Sequence, residues 1–448
     1  MTMLRRKIDQ FLSEWKARPD HNPLLVYGAR QIGKTTAIHQ FAVSNFECVI
    51  EIDFKKQPEF KRIFQQGYMP DDVLKMISVL NPNWKAVPHK TIIFFDEVQD
   101  CPDATTCFKA FKEDGRYEVI ASGSMLGVQY QSVNLNPVGF KERYQMFSMD
   151  FEEFLWAKGY SDAQIEEWYS NLLSLKPLNL LVHETLSRLF KEYLFVGGMP
   201  KAVATFVEEG NYFNVFPIQK QLALDYEDDI IQYVEGLNVA KVKTIYRSIT
   251  PQLAKDNHKF QITKLPHKPR SRDYEGVYSW LVDAGIINAS YNLSELSIPL
   301  SSYVDSSHYR LYYADHSLFI ATMDEESKED LLANGNLEIY SGALYESVVS
   351  SSLVRQDIKP YFFKNQDSTI ELDFVVRAKN MIVPIEVKKK RGRSISLSSV
   401  LNGKTPSIRY GIKLSLNNIG FDGDIITMPY YLSFMLRRFL KESDLFSW

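Results

Sequence analysis

Residues 28–35 read Gly-Ala-Arg-Gln-Ile-Gly-Lys-Thr. The apolar run Leu24-Leu25-Val26-Tyr27 precedes them, and Thr36-Ala37-Ile38 opens a helix pattern. Gly28 and Gly33 let backbone N–H groups close around an anion without Cβ interference. Ala29, Arg30, Gln31 and Ile32 form the loop between them, and the helix that follows adds partial positive charge. Lys34 has the reach to meet the β- and γ-phosphates of a nucleotide, and Thr35 the hydroxyl to ligate Mg²⁺. Strand, loop and helix in that order are the context that distinguishes this G-x-x-x-x-G-K-T run from an ordinary β–α turn.

A second group lies downstream. Thr91-Ile92-Ile93-Phe94-Phe95 is an apolar run that ends in Asp96-Glu97. Such a run reads as a buried parallel strand, and the acid pair resembles a Walker B motif. Asp96 would hold Mg²⁺ through its water shell, and Glu97 would orient and deprotonate the attacking water. Ser122 and Ser124 end the next strand pattern, where a small polar residue can sense the γ-phosphate or the water. A plain turn is the other reading. Arg143, or Lys141 beside it, is a candidate cation for the γ-phosphate of its own or a neighbouring subunit; a solvated charge is the alternative.

The third group is near the C-terminus. Residues 370–376 read Ile-Glu-Leu-Asp-Phe-Val-Val, and 381–388 read Met-Ile-Val-Pro-Ile-Glu-Val-Lys. Residues two apart on a strand share a face, so Glu371 and Asp373 lie together, as do Glu386 and Lys388. Across a hairpin, Asp373 and Glu386 can converge on one cation, and oxygen ligands with room for water suit Mg²⁺. Lys388 can position a water or neutralise charge as a phosphodiester breaks. Glu346, on a preceding apolar helix, can add a ligand. This is similar to the D-x(n)-E-x-K pattern of the PD-(D/E)XK nucleases. A salt-bridged hairpin without metal, or a site that binds without cutting, would leave the same residues. The run Lys389-Lys390-Arg391-Gly392-Arg393 continues the second strand and could grip a nucleic-acid backbone or simply be solvated.

The elements that must position these groups alternate strand and helix through residue 157, which predicts a parallel α/β sheet. Met3 to Trp15, Pro58 to Gln66 and Asp71 to Leu80 read as helices. Cys48 to Phe54, Tyr117 to Ala121 and Tyr144 to Ser148 read as strands. Asp150, with Glu153 three residues on, has the capping-box pattern of a helix start. Residues 158–240 carry helix-period apolar spacing and predict a helical lid, broken at Gly197-Gly198-Met199-Pro200, a turn more structural than chemical. Residues 241–305 read as a winged helix-turn-helix: helices from Lys241 to Leu253 and Ser271 to Asp283, then a strand at Ile286 and a wing from Ser290 to Pro299. Arg270 and Arg272 open its second helix, with Lys255, Lys259, Lys264 and Lys268 nearby, where phosphate contact is easy. A packing module with a basic face is the competing reading. Residues 306–448 form the last domain, closed by a strand–helix tail with an amphipathic helix from Leu432 to Leu440.

Composition sets the bounds. A chain of 448 residues exceeds one core, and 45% hydrophobic residues with 28 Phe and 25 Tyr supply several. A formal charge of −3 excludes a uniformly basic nucleic-acid binder but not local basic patches. Three cysteines without a C-x-x-C pair speak against a disulfide framework or a structural zinc. The charged N-terminus is not a signal peptide, and no apolar stretch is long enough to span a membrane, so a cytoplasmic protein is expected.

In motif order the chain resembles the bacterial and archaeal AAA-type ATPases that carry a C-terminal domain named DUF4143. Residues 24–36, Phe94 to Gln99, Ser122 to Ser124, Asp150 to Leu155, Gly197 to Pro200, Arg310 to Asp315, Gly342 to Val349 and Glu371 to Lys388 carry the resemblance. Gly139-Phe140-Lys141-Glu142-Arg143 departs from the simpler Gly-Arg of such families. The resemblance implies a P-loop ATPase core, a lid with a winged helix, and a restriction-endonuclease-like α/β domain. The cofactors it implies are ATP and Mg²⁺, the expected partner is DNA, and a homo-oligomer is compatible with it. The expected activity is ATP hydrolysis coupled to action on nucleic acid; the alternative is an ATP-controlled switch that binds DNA or a protein without cleavage.

Overall fold

A computed structural model describes residues 4–124, 139–234, 239–253, 260, 274, 276–334, 341–388, 394–403 and 405–446. Arg270, Arg272 and the four lysines grouped with them lie outside the described residues, as does the run 389–393. The chain divides into two compact units. One comprises Arg5–Ser148 with Asp283–Gly285, and the other comprises Met1–Leu4, Met149–Val282 and Ile286–Trp448.

The first unit is a five-stranded, all-parallel sheet. Its strands are β1 (Leu24–Gly28), β2 (Cys48–Asp53), β3 (Thr91–Asp96), β4 (Glu118–Ser124) and β5 (Glu142–Gln145), in the order β2-β3-β4-β1-β5. Every residue of β3 is buried, which is why an unbroken apolar run was needed there. Ile50, Ile52, Phe54, Ile93, Phe95, Val119 and Ala121 pack with Phe60, Phe64, Phe108 and Phe111 into one core on a single face of the sheet. The helix Lys34–Asn45 follows β1 directly, and Pro70–Leu80 forms the expected third helix. Pro58–Phe64, expected as a helix, is a 3₁₀ segment.

The second unit begins with the helices Phe151–Ala157, Asp162–Leu173, Leu180–Val196, Pro200–Glu209, Tyr212–Tyr233 and Val239–Leu253. The Asp150 capping box is formed: Asp150 accepts from Glu153 N–H at 3.0 Å, and Glu153 accepts from Asp150 N–H at 3.2 Å. An eight-stranded mixed sheet follows. Its strands are β6 (Ile287–Leu293), β7 (Val304–Tyr313), β8 (Tyr361–Lys364), β9 (Glu371–Ala378), β10 (Met381–Lys388), β11 (Gly411–Ser415), β12 (Gly420–Asp422) and β13 (Ile425–Pro429). Their order is β12-β13-β11-β10-β9-β8-β6-β7. Of the segment expected as a wing, Ser290 to Pro299, residues 290–293 belong to β6 of this sheet. β6 pairs with β7 on one side and, in parallel, with β8 on the other, so residues 287–313 are an integral edge of this sheet. The expected strand–helix tail also contains three strands rather than one.

The Gly197-Gly198 turn is structural. Gly198 N–H donates to Asp315 Oδ2 at 3.0 Å, and Gly198 O accepts from Met149 N–H at 2.7 Å. A Cβ on Gly198 would stand 2.0 Å from Met149 O, and one on Gly197, which has φ of +76°, would stand 2.3 Å from Ser317 Cβ. Buried Arg355 closes the cluster through Tyr193 Oη (3.1 Å) and Asp315 Oδ2 (3.4 Å). Gly198→Ala should therefore destabilise the protein by about 3 kcal/mol, read from a denaturant midpoint, because a backbone carbonyl cannot swing aside as a flexible side chain can.

The cysteines Cys48, Cys101 and Cys107 are all free. Among the described residues no helix is long and apolar enough to cross a membrane.

Candidate functional site

The register of the first sheet brings the chain's most reactive residues to one edge. Gly28 pairs with Ser124, and Asp53 with Asp96; Phe95 pairs with Ala121, so Asp96 comes level with Ser122 and β1 and β4 run two residues past the ends of β2 and β3. The loop leaves β1 there. Its backbone bends through positive φ at Gln31 (61°) and Gly33 (90°), the second being a conformation glycine adopts at little cost. The first backbone bond inside the helix is Ala37 N–H to Gly33 O at 3.0 Å, so Lys34, Thr35 and Thr36 form the first turn, where N–H groups point out of the helix end. Lys34 Nζ donates to Gly28 O at 3.1 Å and Ala29 O at 2.8 Å, across the mouth of the loop. Gly28 has a further role: a Cβ there would lie 2.2 Å from Met146 O, so the loop and the end of β5 touch backbone to backbone.

Thr35 Oγ1 donates to Asp96 Oδ2 at 2.8 Å, joining residues 61 apart in sequence. Ser122 Oγ donates to the other oxygen, Asp96 Oδ1. Burial pushes the Asp96 carboxyl up, and the Ser122 and Thr35 hydroxyls pull it back. A buried carboxylate beside a hydroxyl, at the end of a phosphate-type loop, fits Mg²⁺ held partly through water. The residues that would hold it are Thr35 and Asp96. Bound there, the ion would neutralise charge on the transferring phosphoryl group.

Glu97 follows at φ of 56°. Its carboxylate accepts from Gln99 Nε2, while Gln99 Oε1 accepts from Ser124 N–H at 3.1 Å. Gln99 thus ties the candidate base to the end of β4. Ser122 and Ser124 both stand at the site, though Ser122 is committed to Asp96. Arg143 is not brought to the loop. It is exposed and pairs with Leu25, three positions before Gly28, which is roughly 10 Å back along the strand.

Arg6 and Gln99 carry functions at this site that the sequence reading missed. Arg6 donates to Ile32 O and Phe147 O, each at 2.7 Å, bracing the loop from behind. Nothing local marks a single arginine ahead of a helix for that task.

The acid hairpin of the second unit forms with the expected register. Ile385 pairs with Phe374, so the next position sets Glu386 opposite Asp373. Val387 N–H donates to Asp373 Oδ2 at 2.7 Å, and Lys388 Nζ lies 2.6 Å from Glu386 Oε1. At the centre, however, stands Arg310 from β7, with 1% of its side chain exposed. It reaches Glu346 at 3.4 Å, Asp373 at 3.8 Å, and Glu371, which Lys364 also holds. Tyr312 Oη adds a bond to Glu346 at 2.9 Å. Burial opposes the Arg310 charge, but Tyr312, Glu346, Asp373 and Glu371 hold it firmly protonated. Burial, reinforced by Glu346, pushes Asp373 up to about 7 against the pull of Arg310. Among the described residues no group of three or more acids, histidines or cysteines is arranged to hold a metal. Glu346, Glu371 and Asp373 as placed are matched to the Arg310 guanidinium and Glu386 to Lys388, an arrangement that does not fit a metal held between Asp373 and Glu386.

Comparison with known proteins supports the first unit most strongly. Residues 20–155 match the model of an AAA domain (AAA_14), residues 187–329 a domain of unknown function (DUF8612), and residues 341–431 a second one (DUF4143). A comparison with curated proteins finds no match. Similar solved structures include a Walker-type ATPase of Pyrococcus abyssi (13% identity, 71% of this chain and 96% of that chain, TM-score 0.42). The ORC1 protein of Aeropyrum pernix in complex with DNA shares 12% identity over 72% of this chain and 94% of its own, with a TM-score of 0.31. AMPPCP-bound DnaA from Aquifex aeolicus shares 12% over 62% and 89%, also at 0.31. The AAA-domain match and the geometry of the loop together support an AAA-type nucleotide-binding domain in residues 20–155.

Proposed function

We propose that the chain binds ATP with Mg²⁺ at the loop 28–35 and hydrolyses it, and that the state of this site controls a second unit that binds nucleic acid. The observation that carries the first part is the Thr35–Asp96 bond of 2.8 Å, which unites the loop with the acid pair. In this reading Lys34 and the N–H groups of residues 29 to 36 bind phosphate oxygens, and Thr35 and Asp96 hold the cation. Glu97 takes the proton of the attacking water, with Gln99 as its positioning residue. Arg143, exposed and away from its own loop, would meet a nucleotide only on another copy of the chain.

The second unit is read as binding without cutting. Arg310 supplies from within the protein the positive charge that a metal would supply to Glu346 and Asp373. The cutting alternative draws on Glu386 Oε2, which is buried without a hydrogen-bond partner among the described residues. Nicking of plasmid DNA with Mg²⁺ or Mn²⁺ by wild type but not by Asp373→Ala or Lys388→Ala would replace the binding reading with the cutting one.

The nucleotide reading is tested at Lys34. Lys34→Ala removes the one ammonium in the loop and should weaken ATP binding by at least about tenfold while abolishing turnover, measured by calorimetry and phosphate release. Turnover equal to wild type would sink the assignment.

A further inference from the structure

A cavity of about 480 Å³ opens in the second unit at the turn end of the β9–β10 hairpin, away from the acid cluster. Five cations line it: Lys359, Arg377, Lys379, Arg437 and Lys441, against Asp357 alone. Asp357 is already committed, since its carboxylate pairs with Arg437 at 2.9 Å. The Lys379 and Lys441 side chains pair with no acid among the described residues. Among the described residues Arg377 spends only Nε, on Lys379 O at 2.7 Å, and keeps its two terminal nitrogens. Lys359 lies 5.6 Å over the Tyr361 ring, so the wall beneath it is aromatic. The chain as a whole carries a formal charge of −3, so four uncompensated cations around one pocket are not a reflection of bulk composition.

Lys379 sits at the tip of a two-residue turn with φ of 53°, where glycine or asparagine would cost less. From that position Lys379 lines the pocket. The volume falls in the range of small-ligand sites, and the charge excess exceeds what one carboxylate balances. An Arg fork beside separate ammonium groups matches a phosphate ester: bidentate bonds from the guanidinium, point charges from the lysines.

We propose that this pocket is a phosphate-ester site, taking either the backbone of a nucleic-acid strand or a free nucleoside monophosphate. The inference goes beyond the ATPase reading and does not depend on the loop at 28–35. The test uses full-length protein carrying Lys34→Ala, so that nucleotide binding at the loop is weakened, with and without Lys379→Glu/Lys441→Glu. Affinity for a labelled single-stranded oligonucleotide is read by anisotropy over a range of salt, and affinity for adenosine monophosphate by calorimetry. If the strand is the ligand, the double variant should bind the oligonucleotide about tenfold or more weakly, with a salt slope shallower by about 1 to 2. A drop for adenosine monophosphate alone assigns the site to the free ester. Should the charge reversal unfold the protein, Lys379→Gln/Lys441→Gln, which adds no new charge, must show the same loss. Affinities unchanged for both probes, or no binding of either by the parent, overturn the proposal. ATP turnover, assayed separately with Lys34 intact, reports on the nucleotide reading and is expected to survive the pocket substitutions.

Discussion

Glu97→Gln should slow ATP hydrolysis by about 10²- to 10⁴-fold while ATP affinity stays near that of wild type. The amide keeps the shape of the side chain and its contact with Gln99, and removes only the ability to take a proton. Binding is left to Lys34, Thr35 and Asp96, whose geometry does not involve the Glu97 carboxylate. The informative control is Asp53, the other acid at this edge of the sheet. Asp53 accepts the backbone N–H groups of Lys55 and Lys56, each at 3.0 Å, and pairs with Lys56 Nζ at 2.7 Å. Its lone pairs are spoken for, so Asp53→Asn should leave turnover within a few-fold of wild type. Single-turnover phosphate release measures both. A large loss at Asp53 with little at Glu97 would move the base to the neighbouring strand and refute the assignment.

The second large effect is expected in stability. Arg310→Met keeps most of the side-chain volume but strips the charge from the middle of the acid cluster. Removing one partner of a buried ion pair costs about 3–5 kcal/mol, because the carboxylates remain without compensation. The loss should also depend on pH, and the sign is fixed by linkage. Asp373 already titrates at about 7 in the folded protein, above its ordinary value of 3.8. Taking away Arg310, which lowers it, raises it further, so the folded variant binds more protons than the unfolded chain. Below about 7 Asp373 is protonated in wild type and variant alike, so the penalty relative to wild type grows as pH rises through about 7 and above, and shrinks toward acid. A mere packing defect would give a penalty that does not change with pH. Denaturant unfolding at several pH values distinguishes the two. Glu346→Gln in the Arg310→Met background should recover part of the loss.

The parts of this molecule that were legible in the sequence are those whose meaning is local. β10 runs over Met381–Lys388, as the apolar run and its terminal charges indicate, and the strand–loop–helix at 24–45 follows from the glycines and the apolar run before them. The residues that escaped notice act at long range. Arg310 stands between Tyr309 and Leu311 on β7, with no local signal of a role at the acids; only the fold brings it to Glu346 and Glu371, 36 and 61 residues away. β6 misled for a related reason. The wing is expected from Ser290 onward, but β8 covers the other edge of β6 and Asn292 Oδ1 accepts from Lys364 N–H at 2.9 Å. Arg143 is a different case. Its charge suits a cation for the nucleotide of its own or a neighbouring subunit, and the parallel register with β1 sets its backbone level with Leu25, three positions before Gly28.

Arg6 has a bearing on where the nucleotide-handling part of the chain starts. Its guanidinium is stapled at once to Ile32 O inside the loop and to Phe147 O just past β5, and Trp15 of the same helix donates to Asn22 O immediately before β1. The loop is consequently held from both ends of the unit by a segment that precedes every strand. A fragment cut at the first strand would retain each phosphate-binding atom and lose the scaffold that fixes them. Preorganisation, rather than chemistry, sets the minimal length here, and the true upstream border of the ATP site is the helix Lys7–Ala17 together with the arginine that caps it.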